Sequence, residues 1–355
     1  MTINEAAIDR KNNLNIIRLV ASLMVLYMHS FAVCVGVQDE DIFYTLTNHK
    51  DLAGGIAVYI FFIISGFLIC RSFDRTSSVF KYAKARFLRI WPLLFVVVMV
   101  LAFIVGPIVS VYTFSQYFEY GDLKGFLLNL IFISTDTNLP GVFPNHYIHS
   151  VNGSLWTLMY EVIWYILVAI TSIIWKKRRW FAPAMYVILA GIYFGITYGP
   201  LGSLPVLSSG YMLNMSKLGM FFTIGMTAYL YSDKIILSVR ALGFAILGLV
   251  MGILFCNFIF TFSICGAYII FYIAFQKRFI AKWYDKVGDL SYGIYIMTFP
   301  IQQILVEYLG KPSKTYHTLT MNPYLNMALT LAIVVPLSWL SWHFIERPCL
   351  KLKNK

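Results

Sequence analysis

Arg18 and His29 stand eleven residues apart inside one apolar stretch, NIIRLVASLMVLYMHSFAVCVG, and are the pair best placed to do chemistry. Eleven residues make almost three helical turns, so both side chains point the same way, about 16 Å apart along the axis. Ionisable groups within a membrane span are costly and face a bundle interior or a water-filled cavity. One helix therefore offers an anion anchor near one membrane face and a proton-transfer group near the other. Glu161, in SLWTLMYEVIWY, is the acidic residue that sits well inside an apolar stretch. If its span starts near Leu155, it lies ~9 Å deep, a depth similar to that of His29 measured from the same surface. A carboxylate beside the imidazole would orient the ring and raise its basicity. A buried Glu bonded to nearby Trp or Tyr donors is the plainer alternative.

A second constellation is basic. Arg86 and Arg89 in ARFLRIWPLL are i, i+3 neighbours just before Trp91 and Pro92, a two-guanidinium fork suited to phosphate oxygens. Arg71 and Arg75 precede them in the same basic segment and join them as candidates for an anionic ligand; ordinary flanking charge is the competing reading. In GGIAVYIFFIISGFLICRSF, Gly54, Gly55, Ser65 and Gly66 let helices approach closely. In GDLSYGIYIMTFPIQQ, Ser291, Tyr292, Tyr295, Thr298, Gln302 and Gln303 decorate an otherwise apolar helix that Pro300 should kink. Trp156, Ser65, Tyr292 and Tyr295 are the candidates to contact a substrate. Trp156, Tyr112, Tyr117, Tyr120 and Tyr147 would also suit stacking against sugar rings, although Tyr and Trp are common interfacial anchors. His343, Glu346 and Arg347 close the last apolar stretch and read as a solvated end or a helix–helix tie.

These groups need a scaffold, and composition supplies its class. Of 355 residues 59% are apolar, 17% aromatic and 12% charged, with mean hydropathy +0.72. Soluble domains carry about 25% charged residues, so the chain is predicted to be an all-α polytopic membrane protein. Ten stretches are long enough to be spans, near 14–36, 52–70, 91–112, 155–175, 180–198, 216–232, 238–256, 258–275, 290–309 and 325–345. A shorter piece, 124–133, would lie in or re-enter the interface. The first stretch is too long for a cleaved signal and is expected to stay as a helix.

The net charge of +12 is orientation rather than a nucleic-acid surface. With a cytoplasmic amino terminus, the inside segments hold Arg10 and Lys11, the run from Arg71 to Arg89, Lys176 to Arg179, and Lys234 and Arg240. They also hold Lys277, Arg278, Lys282 and Lys286, and then Arg347, Lys351, Lys353 and Lys355. Outside remain Lys50, Lys124, Lys217, Lys311 and Lys314, among acidic residues such as Asp39, Glu40, Asp41 and Asp51. That asymmetry predicts an even number of spans with both termini cytoplasmic. The aromatic outer loop 113–154, between spans 3 and 4, contains His146 and His149 and is long enough to cover a site. The chain reads as a single transmembrane domain, 1–355. Five cysteines without a CxxC pair give neither a disulfide framework nor a metal set.

In this order the pieces resemble the integral-membrane acyltransferase family 3, whose members O-acylate glycans and related cell-envelope molecules. The resemblance rests on Arg18 with His29, GGIAVYIFFIISGFLI at 54–69, RFLRIWP at 86–92, SLWTLMYE at 154–161, GDLSYGIYIMTFP at 288–300 and ERP at 346–348. It implies about ten helices with both ends inside, the plasma membrane of a bacterium, His29 as the catalytic histidine and Arg18 as its partner. It also implies acyl-CoA, most often acetyl-CoA, used from the cytoplasm with the RFLRIWP arginines near its nucleotide end. On this reading Arg89→Ala should mainly weaken acyl-CoA binding. Where many members carry a second histidine in the GDLSYGIYIMTFP motif, this chain has Thr298, which leaves His29 as the strong candidate. A transporter or flippase for an envelope precursor would use the same Arg, His and Glu, but no pair of inverted halves is visible. A non-catalytic scaffold explains neither Arg18 nor Glu161.

Overall fold

The computed structural model describes residues 1–7, 12–36, 41–76, 78–119, 122–205, 207, 209–276, 284, 287–313 and 318–354. Arg10, Lys11, Asp39, Glu40, Tyr120, Lys277, Arg278, Lys282, Lys286, Lys314 and Lys355 lie outside the described residues. The fold is mostly helical with almost no strand. Its longer helices are α1 (Leu14–Val35), α2 (Ala53–Asp74), α3 (Val79–Val109), α4 (Trp156–Ile170), α5 (Phe181–Tyr198), α6 (Gly210–Leu230), α7 (Val239–Phe255), α8 (Phe258–Ala274), α9 (Ser291–Leu309) and α10 (Pro323–Lys351).

Each apolar stretch of the sequence is thus a helix, and α1, α2, α3, α5 and α10 are long and apolar enough to cross a membrane. Helices α4, α7 and α8 are apolar but shorter, at 10–17 residues. In α9 the Tyr, Thr and Gln side chains dilute an otherwise hydrophobic helix. Helix α3 begins at Val79, well before the apolar run near 91–112, so Arg86 and Arg89 sit on helical turns rather than in a flanking loop. Charged residues do not stop a helix; they only remove it from a hydropathy window. The piece 124–133 forms two short helical turns, Lys124–Leu127 and Leu128–Ile131.

The chain clusters into two compact units. The first holds Met1–Arg18, Ile56–Tyr82 and Ile163–Lys282. Helices α2 and α6 cross closely in it, where Gly66 meets the Phe222 carbonyl and Gly225 meets the Ile63 carbonyl. Trp164 stacks on Phe222 at 5.3 Å and Tyr59 on Phe221 at 4.1 Å. Such small-residue contacts bring backbones together where lipid supplies no hydrophobic drive. A Cβ at Gly66 would fall on a backbone oxygen that has no rotamer to escape into. Gly66→Val is therefore expected to destabilise the protein by about 1–3 kcal/mol, read as a lowered melting temperature in detergent.

The start of the chain is tied into this unit. The Ile3 N–H donates to the Ile235 carbonyl at 3.1 Å and the Leu237 N–H to that of Met1 at 2.8 Å. Asn13, just ahead of α1, donates from Nδ2 to the Ile273 carbonyl at 3.0 Å and from its backbone N–H to Ala274 at 2.7 Å.

The second unit holds Leu19–Gly55, Ala83–Val162 and Trp283–Lys355. Here α9 packs along α10, with Gly293 against Ser338 and Asn326 Nδ2 on the Gln302 carbonyl at 3.2 Å. Among the described residues three helices contain a π turn, at Leu101–Val105 in α3, Phe262–Gly266 in α8 and Trp342–Glu346 in α10. The Ala102 carbonyl in the first of these accepts a bond from Tyr117 Oη at 2.9 Å. Tyr117 is fully buried by that contact and is not available for ring stacking against a sugar. A two-residue hairpin, Lys311–Pro312 with Leu319–Thr320, follows α9, and Thr320 Oγ1 donates to the Cys34 carbonyl at the end of α1 at 2.8 Å.

Candidate active site

Helix α1 contains neither Pro nor Gly, so nothing interrupts the run that carries Arg18 and His29 on one rod. Arg18 is half-buried and falls in the first unit's share of α1, His29 in the second's. The His29 ring meets the edge of Phe299, on α9, with centroids 4.9 Å apart and planes at 88°. Its Nδ1 is buried and has no hydrogen-bond partner among the described residues.

Ser154 Oγ and Gln302 Oε1 are among the other buried polar atoms of this unit for which the described residues supply no hydrogen-bond partner. With His29 Nδ1 they are gathered along one stretch of α9. Gln302 Nε2 donates to the Leu26 carbonyl at 2.9 Å and to Ser30 Oγ at 2.7 Å, one residue beyond His29. The Ser154 carbonyl accepts from Tyr295 Oη at 3.1 Å, and Asn152 Nδ2 donates to the Ile296 carbonyl at 2.9 Å. Gly153 lies against the Phe299 ring, which a Cβ would approach to 2.7 Å. Leaving a buried polar atom unpaired costs about 1–3 kcal/mol. Three of them around Tyr295–Gln302 mark a place where hydrogen bonds remain to be made.

Glu161 is half-buried, one helical turn beyond Thr157 on α4. Thr157 Oγ1 and Tyr295 Oη share a 2.6 Å hydrogen bond, and the Glu161 charge acts on that phenol. The carboxylate does not bond His29 Nδ1. The expected Glu–His contact is therefore not made at Nδ1. Tyr295→Phe would strip the Ser154 carbonyl of its donor and is expected to lower stability by about 1–3 kcal/mol, measurable by chemical unfolding in detergent.

The other candidates are placed as follows. Tyr292 Oη donates to the Ile90 carbonyl at 2.8 Å, so its hydroxyl ties α9 to α3. Trp156 is half-buried with its ring edge-on to Tyr160 at 5.8 Å. Ser65 is half-buried on α2, in the first unit. Arg71 and Arg75 line a cavity of about 300 Å³ in the first unit, together with Asp74, Lys176, Arg179 and Asp233. Arg71 Nη2 donates to the Ala7 carbonyl at 3.3 Å, while Arg75 is exposed. The Arg179 guanidinium bonds both oxygens of Asp233, at 3.0 and 2.9 Å, and holds that carboxyl below its usual range.

Arg86 is half-buried on α3. Arg89 differs most from expectation, because its guanidinium is engaged by carboxylates instead of being open to a phosphate. It bonds Asp289, and its second nitrogen lies 3.6 Å from Glu346 Oε2. The rings of Tyr292 and Trp342 stand 6.0 and 5.9 Å from its charge. Asp289 also accepts from Ser291, and Glu346 Oε1 from Ser341 Oγ at 3.0 Å. Glu346 is thus buried, at 1% exposure, and not a solvated helix end. The π turn ending at Glu346 belongs to the same short stretch as Trp342. Sequence reasoning missed Phe299, Asn152 and Ser154 as parts of the site. Gln302 left a signal, an amide inside an apolar helix.

A multi-pass helical membrane protein with a half-buried imidazole, whose Nδ1 has no partner among the described residues, is the class these observations define. Residues 11–343 match the family described as the acyltransferase domain, and the chain belongs to this family, acyltransferase family 3. It is an acyltransferase. Among curated proteins it is similar to an O-acetyl transferase of Shigella phage Sf6, 29% identical over 351 residues, 95% of this chain and 96% of the relative. It is also similar to Nodulation protein 10 of Rhizobium leguminosarum bv. viciae, 27% identical over 396 residues, 99% of this chain and 96% of the relative. No solved structure matches it significantly.

Proposed function

We propose that the protein moves an acyl group, acetyl by default, from cytoplasmic acyl-CoA to a hydroxyl of an envelope glycan or lipid-linked sugar. It would do so in the plasma membrane of a bacterium, through ten spans with both termini in the cytoplasm. The observation that carries the reading is the buried, unpaired Nδ1 of His29 beside Phe299, at the histidine the family motif marks. The O-acetyl transferase of the phage supports the acyl group and the oxygen acceptor.

In this mechanism His29 takes the proton from the sugar hydroxyl as its oxygen attacks the thioester carbonyl. The carbon–sulfur bond breaks, and the departing thiolate takes the proton back from the imidazolium. Glu161 acts through Thr157 and Tyr295, keeping the wall of the site in place and its field negative. Arg18, three turns away on α1, supplies positive charge toward the donor. Arg71, Arg75 and Arg86 are the arginines assigned to the donor's phosphates, and Arg89 holds the helix that carries Arg86. Trp156 and the Ser65 hydroxyl remain assigned to the acceptor. An apolar groove of about 460 Å³ between α3, α9 and α10, lined by Val97, Met297, Pro300, Leu340 and Phe344 among others, suits the hydrocarbon tail of a lipid-linked sugar.

Purified protein in liposomes, given acetyl-CoA and no ion or solute gradient, is expected to release coenzyme A. Envelope glycans of cells carrying the gene should show an added acyl mass that is absent without it. No thioester cleavage under these conditions, together with gradient-dependent solute movement, would replace the enzyme reading by that of a transporter.

A further inference from the structure

His146 lies in the connection between α3 and α4 and is wholly buried, with both ring nitrogens facing acceptors. Nδ1 is 2.8 Å from Gln303 Oε1 and Nε2 is 2.8 Å from Glu307 Oε2. The Gln303 amide is oriented by independent contacts. Its nitrogen donates to the carbonyls of Ile148 at 2.6 Å and Ser150 at 2.8 Å, which an amide oxygen could not do. The oxygen is thus the atom facing His146, and Nδ1 carries a proton. The Nε2 contact to a carboxylate needs a second proton, whichever of the two atoms holds it. Without that proton a ring lone pair would face a carboxylate anion, and the bridge would open.

The surroundings leave Glu307 as the charged partner. Among the described residues it is the one ionisable group in contact with the ring. Phe143, from the same connection, stacks on the imidazole at 4.6 Å, and Gln303 is neutral. His149 is exposed, as is Lys311 in the hairpin that bonds the Asn145 carbonyl through Leu319, and the two ring nitrogens of His146 are taken by Gln303 and Glu307. The Glu307 side chain is 32% exposed, which gives the shared proton a way to solvent.

The bridge fastens the segment that completes the wall of the site. Gln303 gathers His146, Ile148 and Ser150 onto α9, and the next three residues, Val151 to Gly153, lead to the contacts on Ile296 and Phe299. Phe299 is the ring that touches His29.

We propose that His146 is a positioning residue, whose proton shared with Glu307 latches the 137–154 segment onto α9 and keeps Phe299 set against His29. The latch is closed while the bridge holds its second proton and open when that proton is lost. Its link to catalysis rests on the proposed role of His29; the latch itself does not.

The test is amide hydrogen exchange on the full-length protein in nanodiscs at mildly acidic and mildly alkaline pH, corrected for intrinsic rates. The Val151 N–H, which bonds the Thr137 carbonyl at 2.7 Å, is the reporter. Its protection should fall about tenfold on the alkaline side, the loss expected for one charge-assisted hydrogen bond. In Glu307→Gln the new amide can donate to the neutral ring, so protection should become independent of pH. His146→Ala should lower it at every pH. Flat protection in the wild type, or a Glu307→Gln profile that follows the wild type, would overturn the latch. Coenzyme A release from acetyl-CoA, with water as acceptor, should lose an alkaline fall-off in Glu307→Gln; coincident profiles would reduce the bridge to a structural tie and refute the positioning role. Should His29→Ala retain transfer while the exchange results hold, the failure lies with the catalytic reading alone.

Discussion

His29→Ala should lower acyl transfer by about two to four orders of magnitude, the usual contribution of a positioned general base. The fold should survive, because the ring makes an edge contact with Phe299 and its Nδ1 bonds nothing among the described residues. Removing it also removes a buried polar atom whose hydrogen bond is unmade, which offsets part of the lost packing. Rates of coenzyme A release and of acyl transfer should fall together, while the melting temperature in detergent stays near that of the wild type. His29→Gln tests the same point with the polar volume kept: an amide cannot take the proton, so it should be as inactive as alanine. Transfer within a few-fold of wild type in either variant would remove His29 from the reaction.

The second large effect concerns stability. Arg89→Ala takes the guanidinium away from the Asp289 and Glu346 carboxylates, and the side chain of Glu346 is 2% exposed. Deleting one member of a buried charge cluster costs about 3–5 kcal/mol, a large share of the total stability of a domain. The protein is expected to yield little monodisperse material, and what is recovered should melt well below the wild type. Glu346→Gln in the Arg89→Ala background should restore part of the loss, because an amide tolerates burial better than a carboxylate that has lost its guanidinium. Lysine at position 89 should rescue incompletely, since a single ammonium cannot span two carboxylates as a planar fork does. A well-folded Arg89→Ala protein with normal melting and a raised KM for acyl-CoA would return Arg89 to the donor site that its sequence motif implied.

That contrast shows what a linear chain discloses. The membrane class and the placing of helices follow from composition and from runs of apolar residues, both local properties. Arg18 and His29 were legible because one helix fixes their relation. The fate of Arg89 was not, because Asp289 lies 200 residues away and only tertiary packing selects it as the partner. Glu161 illustrates an intermediate case. Its depth could be reckoned from the helical rise, but depth does not decide which neighbour it faces, and it makes no bond to His29 Nδ1. His146 was visible only as a histidine in a long loop, since the acceptors that define its protonation sit on α9. Gln302 and Gln303 carried the better signal, two amides in a helix that otherwise avoids polar side chains.

The bonds that anchor Asn13 bear on how the chain is made. Its side-chain partner lies 260 residues further on, and ribosomes add about 5–20 residues per second, so the start of α1 waits on the order of 13–52 s for its acceptor to be synthesised. During that interval the first hydrophobic segment has already left the exit tunnel and met the insertion machinery. Early arrest of translation should therefore yield a nascent segment that is inserted yet easily cleaved by protease at its leading edge, with resistance gained only after the codons for Ile273 have been read.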